Sequence, residues 1–198
     1  LSQTNLQLLA FGISLSHDDQ HSRDKTGDRY RIGDDVDGGK VDHDIIEVGV
    51  YISRIDGDIV TYDMRTRRPN SGDYMDNLTM HSVEHMFATY VRASEIGASV
   101  IYFGPMGCLT GNYLIIKGTP APREICPLVI DAFESLRDWD GEVPGATAVN
   151  CGNYLLHDLP TAKLEAARFV EILRNSPMFD YPVTERCETD SGAVFYDS

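Results

Sequence analysis

Basic residues are scarce: 17 Lys and Arg stand against 31 Asp and Glu, a formal charge of −14. That imbalance repels phosphate backbones and anionic lipid over most of the surface, which disfavours nucleic acid and membrane partners. Long hydrophobic runs are missing as well. The most apolar early stretch, residues 6–15, is broken by Gln7 and Gly12, has no basic lead-in, and falls short of the roughly 20 residues a spanning helix needs. No targeting or anchoring role is expected of it. Cysteine is also sparse. Cys108, Cys126, Cys151 and Cys187 are too few and too widely spaced for the disulfide framework of a small secreted domain. The expectation is a reducing, cytoplasmic setting in which thiolates stay free to bind metal or do chemistry.

A chain of 198 residues with 42% hydrophobic composition can bury one good core, so one domain is expected. Residues 16–40 hold little besides charge, Gly and Ser, and read as a mobile loop. His17 and His21 sit at helical spacing inside it, but the segment has little propensity for structure, and they are given no role. Ordered structure is expected from Val41 onward. Residues 45–53 (IIEVGVYIS) and 58–65 (DIVTYDMR) are rich in β-branched and aromatic residues and flank Asp56-Gly57, a hairpin signal.

After a turn at 69–72, Asn77 or Thr79 is a candidate cap for a helix. Val83, Phe87, Tyr90, Val91 and Ser94 form one stripe of it, and Gly97 is the expected stop. Residues 99–103 read as a strand, 104–111 (GPMGCLTG) as a tight loop carrying Cys108, and 112–117 as a returning strand. Pro122 opens a second helix with Ile125, Val129, Phe133 and Leu136 inward, although Pro127 limits its first turn. Residues 141–148 read as a loop. Pro160 opens a third helix, to about Arg174, with Leu164, Ala167, Phe169 and Leu173 inward. The fold class expected is α+β: a largely antiparallel sheet with three to four helices on one face.

The residues with chemistry start at His81. The run H-S-V-E-H over 81–85 is an H-x-x-E-H pattern, and on a helix residues four apart lie one turn above each other, so both imidazoles can converge on one metal with Glu84 beside them. A surface helix with two solvated histidines would give the same pattern. Catalytic metal sites generally use three protein ligands and keep one open position. The best third donor is Cys151 in V-N-C-G-N-Y, because the adjacent glycine lets backbone approach a metal; a buried structural cysteine is the alternative. Cys108, among Gly104, Pro105, Gly107 and Gly111, is either a thiol positioned for proton transfer or an inert one packed in a turn.

Several segments together resemble the S-ribosylhomocysteine lyase (LuxS) family. They are Asp42-His43, Tyr62 to Arg65 followed by Pro69-Asn70, H-S-V-E-H at 81–85, G-P-M-G-C-L-T-G at 104–111, and C-G-N-Y at 151–154 followed by His157-Asp-Leu. The resemblance covers about 41–175, and it implies a catalytic domain there with extensions over 1–40 and 176–198. It further implies that His81, His85 and Cys151 ligate a divalent iron, replaceable by zinc or cobalt, and that Glu84 and Cys108 are the general acid/base pair. Arg65 matches an arginine near the reactive thiol. His43 matches a histidine lining the neighbouring subunit's pocket, which implies a homodimer with two sites at its interface. Gly38 stands where the family commonly has a pocket serine. The implied reaction moves the sugar carbonyl of S-ribosylhomocysteine from C1 to C3 and then eliminates homocysteine from C5, leaving 4,5-dihydroxy-2,3-pentanedione, the autoinducer-2 precursor. Two rivals remain at this point: an H-x-x-E-H metallopeptidase with Glu165 as third ligand, and a noncatalytic metal-binding domain.

Overall fold

The computed structural model describes residues 41–182. The loop expected over 16–40, with His17, His21 and Gly38, lies outside them, as does Cys187. The hairpin forms where turn chemistry demands it: β1 (Gly49–Asp56) and β2 (Ile59–Arg65) pair antiparallel across Gly57, whose φ of 62° suits a residue without a Cβ. β3 (Val100–Pro105) and β4 (Gly111–Lys117) complete an antiparallel sheet of four strands in the order β1-β2-β4-β3.

Three helices, α1 (Asn77–Arg92), α2 (Pro122–Arg137) and α3 (Leu159–Asn175), share their buried residues with the inward face of the sheet in one core. Val50, Val60, Tyr62, Met64, Leu114 and Ile116 supply the strand side of that core. Across it, Phe87 stacks on Phe103 at 4.1 Å, and Phe133 touches Phe87 at 5.4 Å and Phe169 at 4.9 Å. This aromatic chain joins all three helices to the sheet, each pair adding about 0.5–1.5 kcal/mol beyond its burial. Among the described residues, no helix is long and apolar enough to cross a membrane.

Three local expectations are corrected. The α1 cap is neither Asn77 nor Thr79 but Asp76, whose Oδ1 accepts from the Thr79 backbone N–H at 2.7 Å; among adjacent candidates, only this one has extended backbone with its oxygen aimed at the third N–H. The helix stops at Arg92 with Ala93 as C-cap, ahead of Gly97, which opens a short 3-10 turn, so Ser94 lies past the stripe. In α3 the inward residues are Ala162, Ala166, Phe169, Val170 and Leu173, while Leu164 is 70% exposed and Ala167 half-buried. The small Ala162 and Ala166 let α3 approach its neighbours closely, which turns Leu164 outward. On α2, Ile125, Val129, Phe133 and Leu136 are buried as expected.

Candidate metal centre and its neighbouring thiol

α1 carries His81 and His85 one turn apart, and their rings meet edge to face with centroids 4.7 Å apart and planes at 86°. Each ring is fixed from behind. His81 Nδ1 donates to the Leu156 carbonyl and His85 Nδ1 to the Pro144 carbonyl, both at 2.8 Å. With the proton on Nδ1, each Nε2 keeps its lone pair, the arrangement that orients histidines for a metal.

The carbonyls that hold these rings come from the long connection between α2 and α3. Trp139 Nε1 donates to the Glu142 carbonyl at 2.9 Å and Lys163 Nζ donates to the Trp139 carbonyl at 2.6 Å, pinning the loop that presents Pro144. Further on, Cys151 N donates to the Thr147 carbonyl at 2.9 Å, and Cys151 Sγ arrives 3.4 Å from His81 Nε2. Two imidazole nitrogens from α1 and one sulfur from a loop far along the chain thus meet at one point. Their donor chemistry fits a borderline transition metal.

His157 joins them. One ligand atom from each of His81, His85, Cys151 and His157 lies within 4.8 Å of the others. In the sequence His157 stands inside a motif but receives no role; the usable signal is a further histidine shortly past Cys151. Ser82 Oγ donates to the Leu78 carbonyl at 3.0 Å and accepts from Asp158 N at 2.9 Å, so in its 3.3 Å contact with His157 Nδ1 the imidazole is the donor. His157 Nε2 is buried with no hydrogen-bond partner among the described residues. Its ring lies flat on His81, centroids 4.1 Å apart and planes 20° from parallel. Burial first, then the two neighbouring histidines, hold its pKa down to about 4, so it is neutral near pH 7.

His157 stacks on His81 and stands edge-on to His85, centroids 4.8 Å apart and planes at 74°, so a neutral imidazole is set against both rings within reach of the same point. His157→Ala is expected to weaken metal binding by roughly 10- to 100-fold, the range for lost supporting contacts. Chelator competition measures this, and an unchanged affinity would reduce His157 to filler.

Beside the cluster lies an open cleft of about 350 Å³, lined on the helix side by Asn77, Met80, His81 and Glu84 and on the other by Met106, Gly107 and Leu109. Cys108 sits between two of those lining residues, with an exposed thiol. Its loop is closed by Met106 N donating to the Gly111 carbonyl at 2.9 Å and Leu109 N to the Met106 carbonyl at 3.0 Å. Leu109 adopts φ 61°, a left-handed conformation that is uncommon outside glycine and persists where surroundings enforce it.

Arg65 reaches this thiol from the end of β2. The side chain is 3% exposed; its Nη1 donates to Thr110 Oγ1 at 2.6 Å and approaches Cys108 Sγ at 3.8 Å, and its Nη2 donates to Asp63 Oδ2 at 2.6 Å. Thr110 Oγ1 also lies 2.9 Å from Cys108 Sγ. Burial works against the Cys108 thiolate, but the Thr110 hydrogen bonds and then the Arg65 charge outweigh it, and the pKa falls below the ordinary thiol value.

His43 is exposed on the loop before β1, where Nδ1 donates to the Val41 carbonyl at 3.1 Å, and among the described residues it is not part of the cluster. Glu165 is held by an ion pair with the buried Arg67 and is not among the described residues grouped so that they could hold a metal. The peptidase reading thereby loses its third ligand.

Residues 36–178 match the profile of the S-ribosylhomocysteinase (LuxS) family. An S-ribosylhomocysteine lyase of Phocaeicola vulgatus is 44% identical over 141 residues, covering 68% of this chain and 88% of that protein. One from Porphyromonas gingivalis is 40% identical over 136 residues, 66% of this chain and 86% of the relative. One from Clostridium beijerinckii is 44% identical over 133 residues, 64% and 84% respectively.

Proposed function

The chain belongs to the S-ribosylhomocysteinase (LuxS) family, and from that membership we infer its reaction and the residues that perform it. It is a carbon-sulfur lyase that cleaves the thioether of S-ribosylhomocysteine, releasing homocysteine and 4,5-dihydroxy-2,3-pentanedione. The observation that carries this reading is the meeting of His81, His85 and Cys151 at the edge of a cleft that also takes Glu84.

A thiolate bonded to C5 leaves by β-elimination only when a carbonyl stands at C3, so the sugar carbonyl must move two carbons. Each move removes a proton next to the carbonyl and returns one to the neighbouring carbon; a last deprotonation at C4 then expels the sulfur. Such transfers need groups on more than one side of the substrate. We assign them to Glu84, on the helix wall of the cleft, and Cys108, on the loop forming the opposite wall. Arg65 with Thr110 keeps Cys108 ready to exist as a thiolate at modest cost, and Glu84 exchanges protons as a carboxylate beside the ligand histidines. We assign the cation to His81 Nε2, His85 Nε2 and Cys151 Sγ, donors that suit Fe2+, Zn2+ or Co2+ over Mg2+ or Ca2+, with Fe2+ as the family resemblance implies. When bound, it supplies Lewis acidity that lowers the cost of negative charge on the sugar oxygens.

The working unit is proposed to be a homodimer with His43 completing the partner's pocket. In support, His43 is exposed and is not among the described residues that could hold the metal, and the helix-free face of the sheet carries Tyr102 and Tyr113, 45% and 36% exposed, around a shallow groove with Ile59 and Ile115. The catalytic domain is assigned to residues 41–175, flanked by extensions over 1–40 and 176–198. A cytoplasmic location is proposed, in keeping with free Cys108, Cys126 and Cys151. The test is direct: protein loaded anaerobically with Fe2+ or Co2+ and given S-ribosylhomocysteine releases free thiol, read with a thiol reagent. No release from metal-replete protein would favour a noncatalytic metal-binding domain.

A further inference from the structure

The family match ends at residue 178, yet the chain continues along the sheet. Met178 accepts through its carbonyl from Val50 N at 2.9 Å, extending the β1 edge. Gly49 makes that approach possible, since a Cβ there would stand 2.5 Å from the Met178 carbonyl oxygen. Phe179 packs against the core with the Arg123 guanidinium 4.7 Å above its ring. Tyr181 then lands on the helix-free face, its ring stacked on Tyr51 at 4.6 Å with planes 10° apart.

The Tyr181 hydroxyl donates to Asp63 Oδ2 at 3.2 Å, the same oxygen that accepts from Arg65 Nη2. A continuous path therefore runs from the C-terminal segment through Asp63 and Arg65 to Thr110 and the Cys108 thiol. Asp63 and Arg65 are each 3% exposed in their side chains. A buried carboxylate is costly unless its lone pairs are met, and Asp63 Oδ1 has no hydrogen-bond partner among the described residues. The Tyr181 hydroxyl is thus one of two side-chain donors on the carboxylate among the described residues, and its ring lies over the pair.

We propose that Tyr181 is a positioning residue for the reaction: by sharing the charge of Asp63 and covering the pair, it leaves the Arg65 guanidinium free to face Thr110 and Cys108. Without the phenol, the carboxylate draws the guanidinium onto itself, and Nη1 turns away from the thiol. The donor is stable, because burial first and then Asp63 raise the Tyr181 phenol far above its ordinary range. The other titratable groups around the pair are Tyr51 and Glu47 near β1, Tyr113 on β4, and His43 on the leading loop. The inference rests on the reading of Cys108 as an acid/base group, but its test does not use the substrate.

The test is the pH profile of Cys108 alkylation by iodoacetamide in the metal-loaded full chain, with the modified peptide assigned by mass. In Tyr181→Phe, which keeps the stacked ring, the midpoint shifts upward enough to slow alkylation at pH 7 by about threefold. In Tyr181→Ala the slowing reaches about tenfold, approaching that of Arg65→Gln. Unchanged midpoints in Tyr181→Phe and Tyr181→Ala, or a downward shift, would overturn the proposal, as would an Arg65→Gln midpoint equal to that of the parent. A shifted midpoint in a protein that releases no thiol from S-ribosylhomocysteine would sustain the positioning role while sinking the lyase reading.

Discussion

Glu84→Gln and Cys108→Ser each lower thiol release by about a hundred- to ten-thousandfold, the range for losing a positioned acid or base, while the metal stays bound. Glu84 is half-buried on the cleft wall, and it stands outside the cluster of His81, His85, Cys151 and His157 that could hold a metal. The amide introduced by Glu84→Gln fills the same volume without exchanging a proton, so the donors behind it are undisturbed. At Cys108 the exchange of sulfur for oxygen leaves the Thr110 and Arg65 partners in place. Those partners stabilise a thiolate, but a serine hydroxyl starts so much higher in pKa that the same help leaves it protonated near neutrality. Steady-state thiol release alongside metal content measures both, and full activity in either variant would remove that residue from proton transfer.

Cys151→Ala has the second large effect, on retention of the metal itself. Two imidazoles one helical turn apart form an incomplete site, and loss of a thiolate removes both a donor and a negative charge, so affinity falls by more than about a hundredfold. The fold does not depend on this sulfur. Cys151 is half-buried on a loop held by its own N–H to Thr147, and the aromatic chain through Phe87, Phe133 and Phe169 lies elsewhere. Dialysis against a chelator separates the variant from the parent; equal retention would mean that the metal is held without the sulfur.

The sequence exposed those parts of this arrangement that rest on local rules. Asp56-Gly57 between β-branched runs announced the hairpin, and the spacing of Ile125, Val129, Phe133 and Leu136 announced the buried face of α2, since turn geometry and helical period act within a few residues. His81 and His85 were legible as a pair for the same reason. Their meeting with Cys151 is not derivable from spacing, because it depends on a connection fastened by Trp139, Pro144 and Leu156; the glycine beside Cys151 made it the best third donor, with a buried structural cysteine as the alternative, and the resemblance to a family favoured the ligand. Leu164 misled because hydrophobicity alone ranks it above Ala162 and Ala166, whereas close helix packing favours the small residues. The Asp76 cap was hidden among neighbouring candidates that differ only in backbone conformation. His157 escaped assignment because a stacked ring so far along the chain from His81 leaves no periodic trace. Tyr181 lies beyond the family match, and only the three-dimensional path to Arg65 gives it meaning.

The proposed metal centre would be held by His81, His85 and Cys151 together, supplying Lewis acidity to the cleft where Glu84 and Cys108 move protons. The most direct measurement is the absorption spectrum of the protein loaded anaerobically with Co2+, recorded for the parent and for Cys151→Ala. The parent is expected to show a thiolate-to-cobalt charge-transfer band together with the intense visible bands of a low-coordinate cobalt site, both lost in the variant. Weak visible bands of six-coordinate cobalt in the parent, with no charge-transfer band, would contradict the metal centre and with it the lyase mechanism.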